Sequence, residues 1–236
     1  RTASSGDFED ALVFGTNGRP VRARTVNQLL LVKDYSANDL IIAEGPAGTG
    51  KTYTAIALAV RALKNHKVKK IVFTRPAVEA GERLGFLPGD MKDKLDPYLQ
   101  PLYDALHDMI PGRKLEQWIE DGTVQIAPLA FMRGRTLENS FVILDEAQNA
   151  TINQLKMFLT RMGMNSKFIL TGDTTQIDLP RRNDSGLLQA IRLLTGIDGI
   201  SVIRFDERDI VRHRLVKHIV RAYDTEEKNQ KEDKNT

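Results

Sequence analysis

Short aliphatic and β-branched runs recur along the chain, separated by longer stretches whose apolar positions repeat every three or four residues. The runs at 40–43, 70–74, 123–126, 141–144, 167–171 and 200–204 predict strands. The stretches 25–35, 51–64, 91–109, 115–120, 151–162, 185–194 and 208–223 predict helices. Phe141, Val142, Ile143 and Leu144 show no polar alternation, as a strand covered on both faces requires. Strands interleaved with helices predict an α/β fold, a mainly parallel sheet with helices on both faces. Ligands of such sheets sit beyond the carboxyl ends of the strands.

The flanks read differently. Ala11–Phe14, followed by Thr16-Asn17-Gly18 and Val21, predicts a short hairpin outside the main domain. The expected organisation is an N-terminal extension over 1–24, one main domain over 25–224 and a disordered tail over 225–236, which is almost entirely charged or polar. No internal repeat is visible.

The predicted strand at 40–43 runs directly into Gly45-Pro46-Ala47-Gly48-Thr49-Gly50-Lys51-Thr52, a G-x-x-x-x-G-K-[ST] loop, with Tyr53 opening the helix behind it. The glycines let backbone N–H groups converge on phosphate oxygens without Cβ obstruction, and the helix N-terminus adds partial positive charge. Lys51 is placed to reach the β- and γ-phosphates of ATP, and the Thr52 hydroxyl to serve as an oxygen ligand of Mg²⁺. The apolar run 141–144 ends in Asp145-Glu146. Asp145 is expected to hold Mg²⁺, directly or through water, and Glu146 to orient and deprotonate the attacking water. The strand 167–171 closes with Gly172-Asp173-Thr174-Thr175-Gln176, which makes Gln176 either a γ-phosphate sensor or an incidental part of a Gly-Asp turn. Thr25-Val26-Asn27-Gln28 fits a capping box, so Gln28 either starts its helix or hydrogen-bonds the adenine edge. Arg75, Arg133 and Arg135 fall on loops after strands, where they could meet single-stranded RNA, form salt bridges or contact another subunit.

Composition adds limits. The 236 residues with 41% apolar content suffice for one substantial core. Lys and Arg number 34 against 31 Asp and Glu, a net charge of +3, which permits nucleic acid as a partner without demanding it. The chain has no cysteine, and its four histidines lack zinc-ligand spacing, so disulfides and thiolate metal sites are excluded. The longest apolar stretch, 54–60, is cut by Arg61 well short of the roughly 20 residues a membrane span needs, so a cytoplasmic protein is expected. Arg1 stands where a methionine would begin a complete chain, which suggests a fragment or a processed form.

These motifs sit in text that closely resembles the PhoH family. The matching segments include the loop Gly45 to Tyr53, then Thr74-Arg75-Pro76-Ala77-Val78-Glu79-Ala80-Gly81-Glu82 and Leu84-Gly85-Phe86-Leu87-Pro88-Gly89-Asp90. Further on come Ala127-Pro128-Leu129-Ala130-Phe131-Met132-Arg133-Gly134-Arg135-Thr136, Leu144-Asp145-Glu146-Ala147-Gln148-Asn149, Thr171-Gly172-Asp173, Asp178-Leu179-Pro180 and Val211-Arg212-His213. Val26 and Arg214 stand where the family pattern has proline. The resemblance implies a P-loop ATPase domain similar to one lobe of superfamily-one helicases, a RecA-like core. It further implies a cytoplasmic bacterial protein of RNA metabolism, often beside a ribonuclease partner.

Two functional classes follow: an ATPase coupled to RNA binding or remodelling, or a nucleotide-dependent switch that recruits a partner. A metabolite kinase is disfavoured because Glu146 and Gln176 suit water as the acceptor. After the strand at 200–204 the sequence reads as one helix and a charged tail, so no second lobe is expected within it to complete an ATP site. A homo-oligomer, a hexameric ring, is therefore expected, with Arg212 entering the neighbouring site and Arg181 or Arg182 as alternatives.

Overall fold

A computed structural model describes residues 11–76 and 91–211, the side chains of 91–98 excepted. Strands β1 (Ala11–Phe14) and β2 (Pro20–Arg22) form a hairpin, and α1 (Val26–Ala37) follows. Then come β3 (Leu40–Glu44), α2 (Lys51–Lys64), β4 (Lys70–Arg75), α3 (Met91–Met109), α4 (Gly112–Glu120) and β5 (Val124–Pro128). The remainder is β6 (Ser140–Leu144), α5 (Ile152–Leu159), β7 (Lys167–Gly172), α6 (Gly186–Leu194) and β8 (Ile200–Arg204), linked by short 3₁₀ turns.

Six strands form one sheet in the order β5-β4-β6-β7-β3-β8, and every pairing is parallel. The side-chain period of two sorts the strand residues between two cores. Ile41, Ala43, Ile71, Phe73, Phe141, Ile143 and Ile169 face one, against α1 through α4. Leu40, Ile42, Val72, Val142, Leu144, Phe168 and Leu170 face the other, against α5 and α6. Helix α2 is buried on most of its circumference, with Ala55 through Val60 all fully enclosed, which explains why its sequence lacks a polar face. Both faces are thus covered, as a parallel sheet demands.

The strand order determines the site. Sequence adjacency would set β3 beside β4, yet β7 and β6 lie between them. The loop after β7 therefore enters between the phosphate loop after β3 and the acidic residues after β6.

Three expectations change in detail. The hairpin does not stand apart from the main domain: Leu12 and Val13 are buried in the same apolar cluster as α2. Helix α5 is shorter than the stretch 151–162 suggests, because Thr151 caps it with Gln154 in a capping box and the chain turns at Thr160. No helix begins at Arg208. Glu207–Asp209 is a 3₁₀ turn that ends at an extended Ile210, with Asp206 and Asp209 capping each other. Arg212 and the rest of the stretch expected to be helical lie outside the described residues, as do 77–90. Among the described residues no helix is long and apolar enough to cross a membrane.

Candidate functional site

The loop between β3 and α2 needs its glycines. Gly45 has φ +146°, and a Cβ there would come within 2.3 Å of the Phe205 carbonyl oxygen. Gly50 sits at φ +78° before α2, where a Cβ would meet Gln28 Nε2 at 2.6 Å. Lys51 opens the helix and is only 7% exposed. Its ammonium donates to the carbonyls of Gly45 at 2.6 Å and Pro46 at 2.8 Å. Burial pushes this lysine below its ordinary pKa, opposed by the carboxylates of Asp173, Asp145, Glu146 and Glu44.

Thr52 and Asp145 meet. The Thr52 hydroxyl donates to Asp145 Oδ1 at 2.7 Å, and the Thr171 hydroxyl donates to the same oxygen at 2.6 Å. The other carboxylate oxygen, Oδ2, accepts from Arg75 Nε at 2.8 Å and also pairs with Arg75 Nη2. Asp145 is thus buried, paired and hydrogen-bonded, which is how a charge persists out of water. A hard cation such as Mg²⁺ takes one or two protein oxygens and completes its shell with phosphate and water. The Thr52 hydroxyl and the Asp145 carboxylate are a donor set of that kind.

Glu146 occupies the left-handed region at φ +54°, a conformation few non-glycine residues adopt, and its position at the turn aims the carboxylate into the cleft. Gln148 holds it there. The Gln148 amide donates to Glu146 Oε2 at 2.6 Å and to the Gln176 carbonyl at 3.2 Å, and its oxygen accepts from the Asp173 backbone N–H at 3.1 Å. Asp173 in turn accepts from the Ala47 N–H at 3.2 Å through Oδ2 and from Thr175 through Oδ1. Lys51, Thr52, Asp145, Glu146, Asp173 and Gln176 line one cleft of about 230 Å³.

The structure therefore assembles most of the residues singled out in the sequence: the Gly45 to Thr52 loop, Tyr53 at its rim, Asp145, Glu146 and Gln176. Gln28 is buried beside the loop, where its amide donates to the Thr49 carbonyl at 2.8 Å. Arg75 lies at the cleft, bonded to Asp145, so the salt-bridged reading describes it here. Arg133 is exposed beyond β5, and Arg135 beside it donates to Gln125 at 2.6 Å. Sequence patterns alone assign no role to Gln148, Thr171 and Asp173. Their signal is their position at the ends of strands β6 and β7, and only the strand order shows that those ends adjoin.

A parallel sheet whose glycine-rich loop, buried lysine and acidic strand end share one cleft defines a P-loop ATPase. The family described as PhoH-like protein matches residues 20–224. The chain belongs to that family. A PhoH-like protein of Bacillus subtilis is 57% identical over 217 residues, which cover 92% of this chain and 68% of that one. A PhoH-like protein of Mycobacterium tuberculosis is 53% identical, covering 89% and 60% respectively. Protein PhoH of Escherichia coli is 45% identical, covering 86% and 58%. This chain thus spans about three-fifths to two-thirds of the length of these relatives. A solved Sulfolobus solfataricus SWI2/SNF2 ATPase core in complex with dsDNA aligns over 79% of this chain and 45% of that one at TM-score 0.45 and 13% identity, too distant to carry an argument.

Proposed function

We propose that the chain binds Mg²⁺-ATP in the 230 Å³ cleft and hydrolyses it, with turnover coupled to single-stranded RNA. The observation that carries the reading is the contact of Thr52 with Asp145 at 2.7 Å, with Glu146 as the next residue and Lys51 in the same cleft. The backbone N–H groups of the loop cradle the phosphates and Lys51 compensates their charge. Thr52 and Asp145 hold the Mg²⁺, which neutralises phosphate oxygens when bound. Glu146 takes the proton of the attacking water, Gln148 fixes the orientation of that carboxylate, and Gln176 contacts the γ-phosphate.

Arg75 links this chemistry to RNA. Arg75 pairs with Asp145 Oδ2 at the end of β4, next to the edge strand β5 beyond which Arg133 is exposed, so an RNA strand crossing that edge would pass from Arg133 toward the cleft. Arg133→Ala is expected to weaken single-stranded RNA binding and reduce its salt slope by about one, leaving ATP binding without RNA unchanged. Filter binding across a salt series checks it, and ATPase rates with and without RNA test the coupling. Slow turnover indifferent to RNA, with partner capture only in the ATP state, would favour a nucleotide switch recruiting a ribonuclease. A cytoplasmic site of action and a hexameric ring with Arg212 supplied in trans belong to the same proposal.

A further inference from the structure

The loop between β7 and α6 brings Gln176 to the cleft and is held from two sides. Upstream it is held by a turn: the Gln176 N–H donates to the Asp173 carbonyl at 3.0 Å, and Asp173 Oδ1 accepts from the Thr175 N–H and hydroxyl. Downstream it is held by Asn149. The Asp178 N–H donates to Asn149 Oδ1 at 2.8 Å, and Asn149 Nδ2 donates to Asp178 Oδ2 at 3.1 Å. The two bonds run in opposite senses between one amide and one residue 29 positions away, so they fix which way the amide points and where the loop sits against it. Among the described residues, the next hydrogen bond from this loop to the β6 side comes only at Ser185, whose hydroxyl donates to the Gln148 carbonyl at 2.8 Å.

Asn149 is buried, while Asp178 is exposed. Neither lines the cleft. Asn149 ends the short 3₁₀ turn Ala147–Asn149 that follows Glu146, and its N–H donates to the Glu146 carbonyl at 3.0 Å. One turn of backbone thus carries Glu146 toward the cleft and Asn149 toward the Gln176 loop. The side chain that takes the proton and the one that meets the γ-phosphate share a single support.

We propose that Asn149 is a positioning residue for hydrolysis: with Asp178 it latches the loop after β7 onto the turn after β6, and so holds Gln176 in register with Glu146. The inference rests on the hydrolytic reading above and adds to it two residues outside the cleft. A Gln176 free to swing meets the γ-phosphate in only a fraction of complexes, and that loss of geometry falls on kcat rather than on binding of the diphosphate.

The test exchanges the partners. Asn149→Asp sets a carboxylate oxygen against Asp178 Oδ2 where an N–H stood, whereas Asn149→Asp together with Asp178→Asn restores a donor and an acceptor in reversed order. Steady-state ATPase assays are expected to show kcat reduced about tenfold in Asn149→Asp, the scale of one hydrogen bond to a charged group, and returned to within about threefold of wild type in the double variant. Asp178→Ala, at the exposed end of the latch, leaves the buried residue in place and is expected to lower kcat in the same direction. Calorimetric ADP affinity is expected to match wild type in all three, which also shows that they fold. In a Gln176→Ala background, itself slower than wild type, Asn149→Asp is expected to cost nothing further, a result that a merely structural contact would not give. Full activity of Asn149→Asp or Asp178→Ala, no recovery in the double variant, or losses that multiply in the Gln176→Ala background would overturn the assignment. If wild type hydrolyses no ATP, the hydrolytic reading itself fails and this one with it.

Discussion

Glu146 and Gln148 show how much one side chain depends on another in this cleft. A carboxylate that must take a proton needs a fixed direction, and Gln148 supplies it while also holding the Asp173 N–H and the Gln176 carbonyl. Glu146→Gln is expected to slow hydrolysis by roughly 10²-fold or more while ATP affinity stays within twofold of wild type, as single-turnover kinetics and equilibrium binding will show. Gln148→Ala removes no group that touches phosphate. It leaves the Asp173 N–H and a Glu146 oxygen without this partner, so kcat is expected to fall about tenfold with little change in KM. Restoration of most of the rate by a longer or shorter apolar side chain at 148 would contradict a hydrogen-bonding role.

Strand and turn geometry carry the next level. Gly172 ends β7 where a Cβ would lie 2.6 Å from Leu187 Cδ2 and 2.8 Å from Gln148 Oε1. Gly172→Ala therefore forces α6 or the Gln148 network to move, at a cost of about 1–3 kcal/mol, measurable by urea denaturation and accompanied by slower turnover. The 3₁₀ turn after β8 carries a pH signature. Burial alone would raise the Asp209 carboxyl, but hydrogen bonds from Asn27 and Thr25, with the N–H groups of Asp206 and Asn27, outweigh it and leave the carboxyl below its ordinary range. A carboxyl depressed on folding stabilises the fold above its unfolded value near pH 3.9 and loses that contribution as pH falls through the folded value. Wild type minus Asp209→Asn stability is expected to be flat from about pH 5 to 7 and to shrink below about pH 4. Denaturation midpoints at several pH values test this, and a difference that grows on acidification would rule it out.

At the scale of the molecule, the cleft opens on the carboxyl ends of the sheet without a second lobe over it among the described residues. Our proposed ring brings an arginine to that cleft from a neighbouring subunit. Mixing Glu146→Gln with Arg212→Ala, each inactive alone, is expected to restore part of the ATPase activity, because some shared sites then hold one intact Glu146 and one intact Arg212. Sedimentation of wild type is expected to show an assembly larger than a dimer. A fully active monomer would end the idea.

The alternation of apolar runs with helical stretches, the loop Gly45 to Thr52 and the pair Asp145-Glu146 are local patterns. Each is written by neighbours in the chain, through hydrophobic period and glycine conformation, and all are legible in the amino-acid sequence alone. The order β5-β4-β6-β7-β3-β8 is not, because parallel strands separated by crossovers carry no local mark of which will pair. That order places Thr171, Asp173 and Gln176 between the phosphate loop and the acidic pair, and it joins Arg75 to Asp145 across β4 and β6. The hairpin's place is likewise beyond local reading. Leu12 and Val13 read as any short strand would, and only long-range burial against α2 makes the hairpin part of the domain. Short-range chemistry is therefore the sequence's to determine, whereas every contact between distant segments depends on the packing of the sheet.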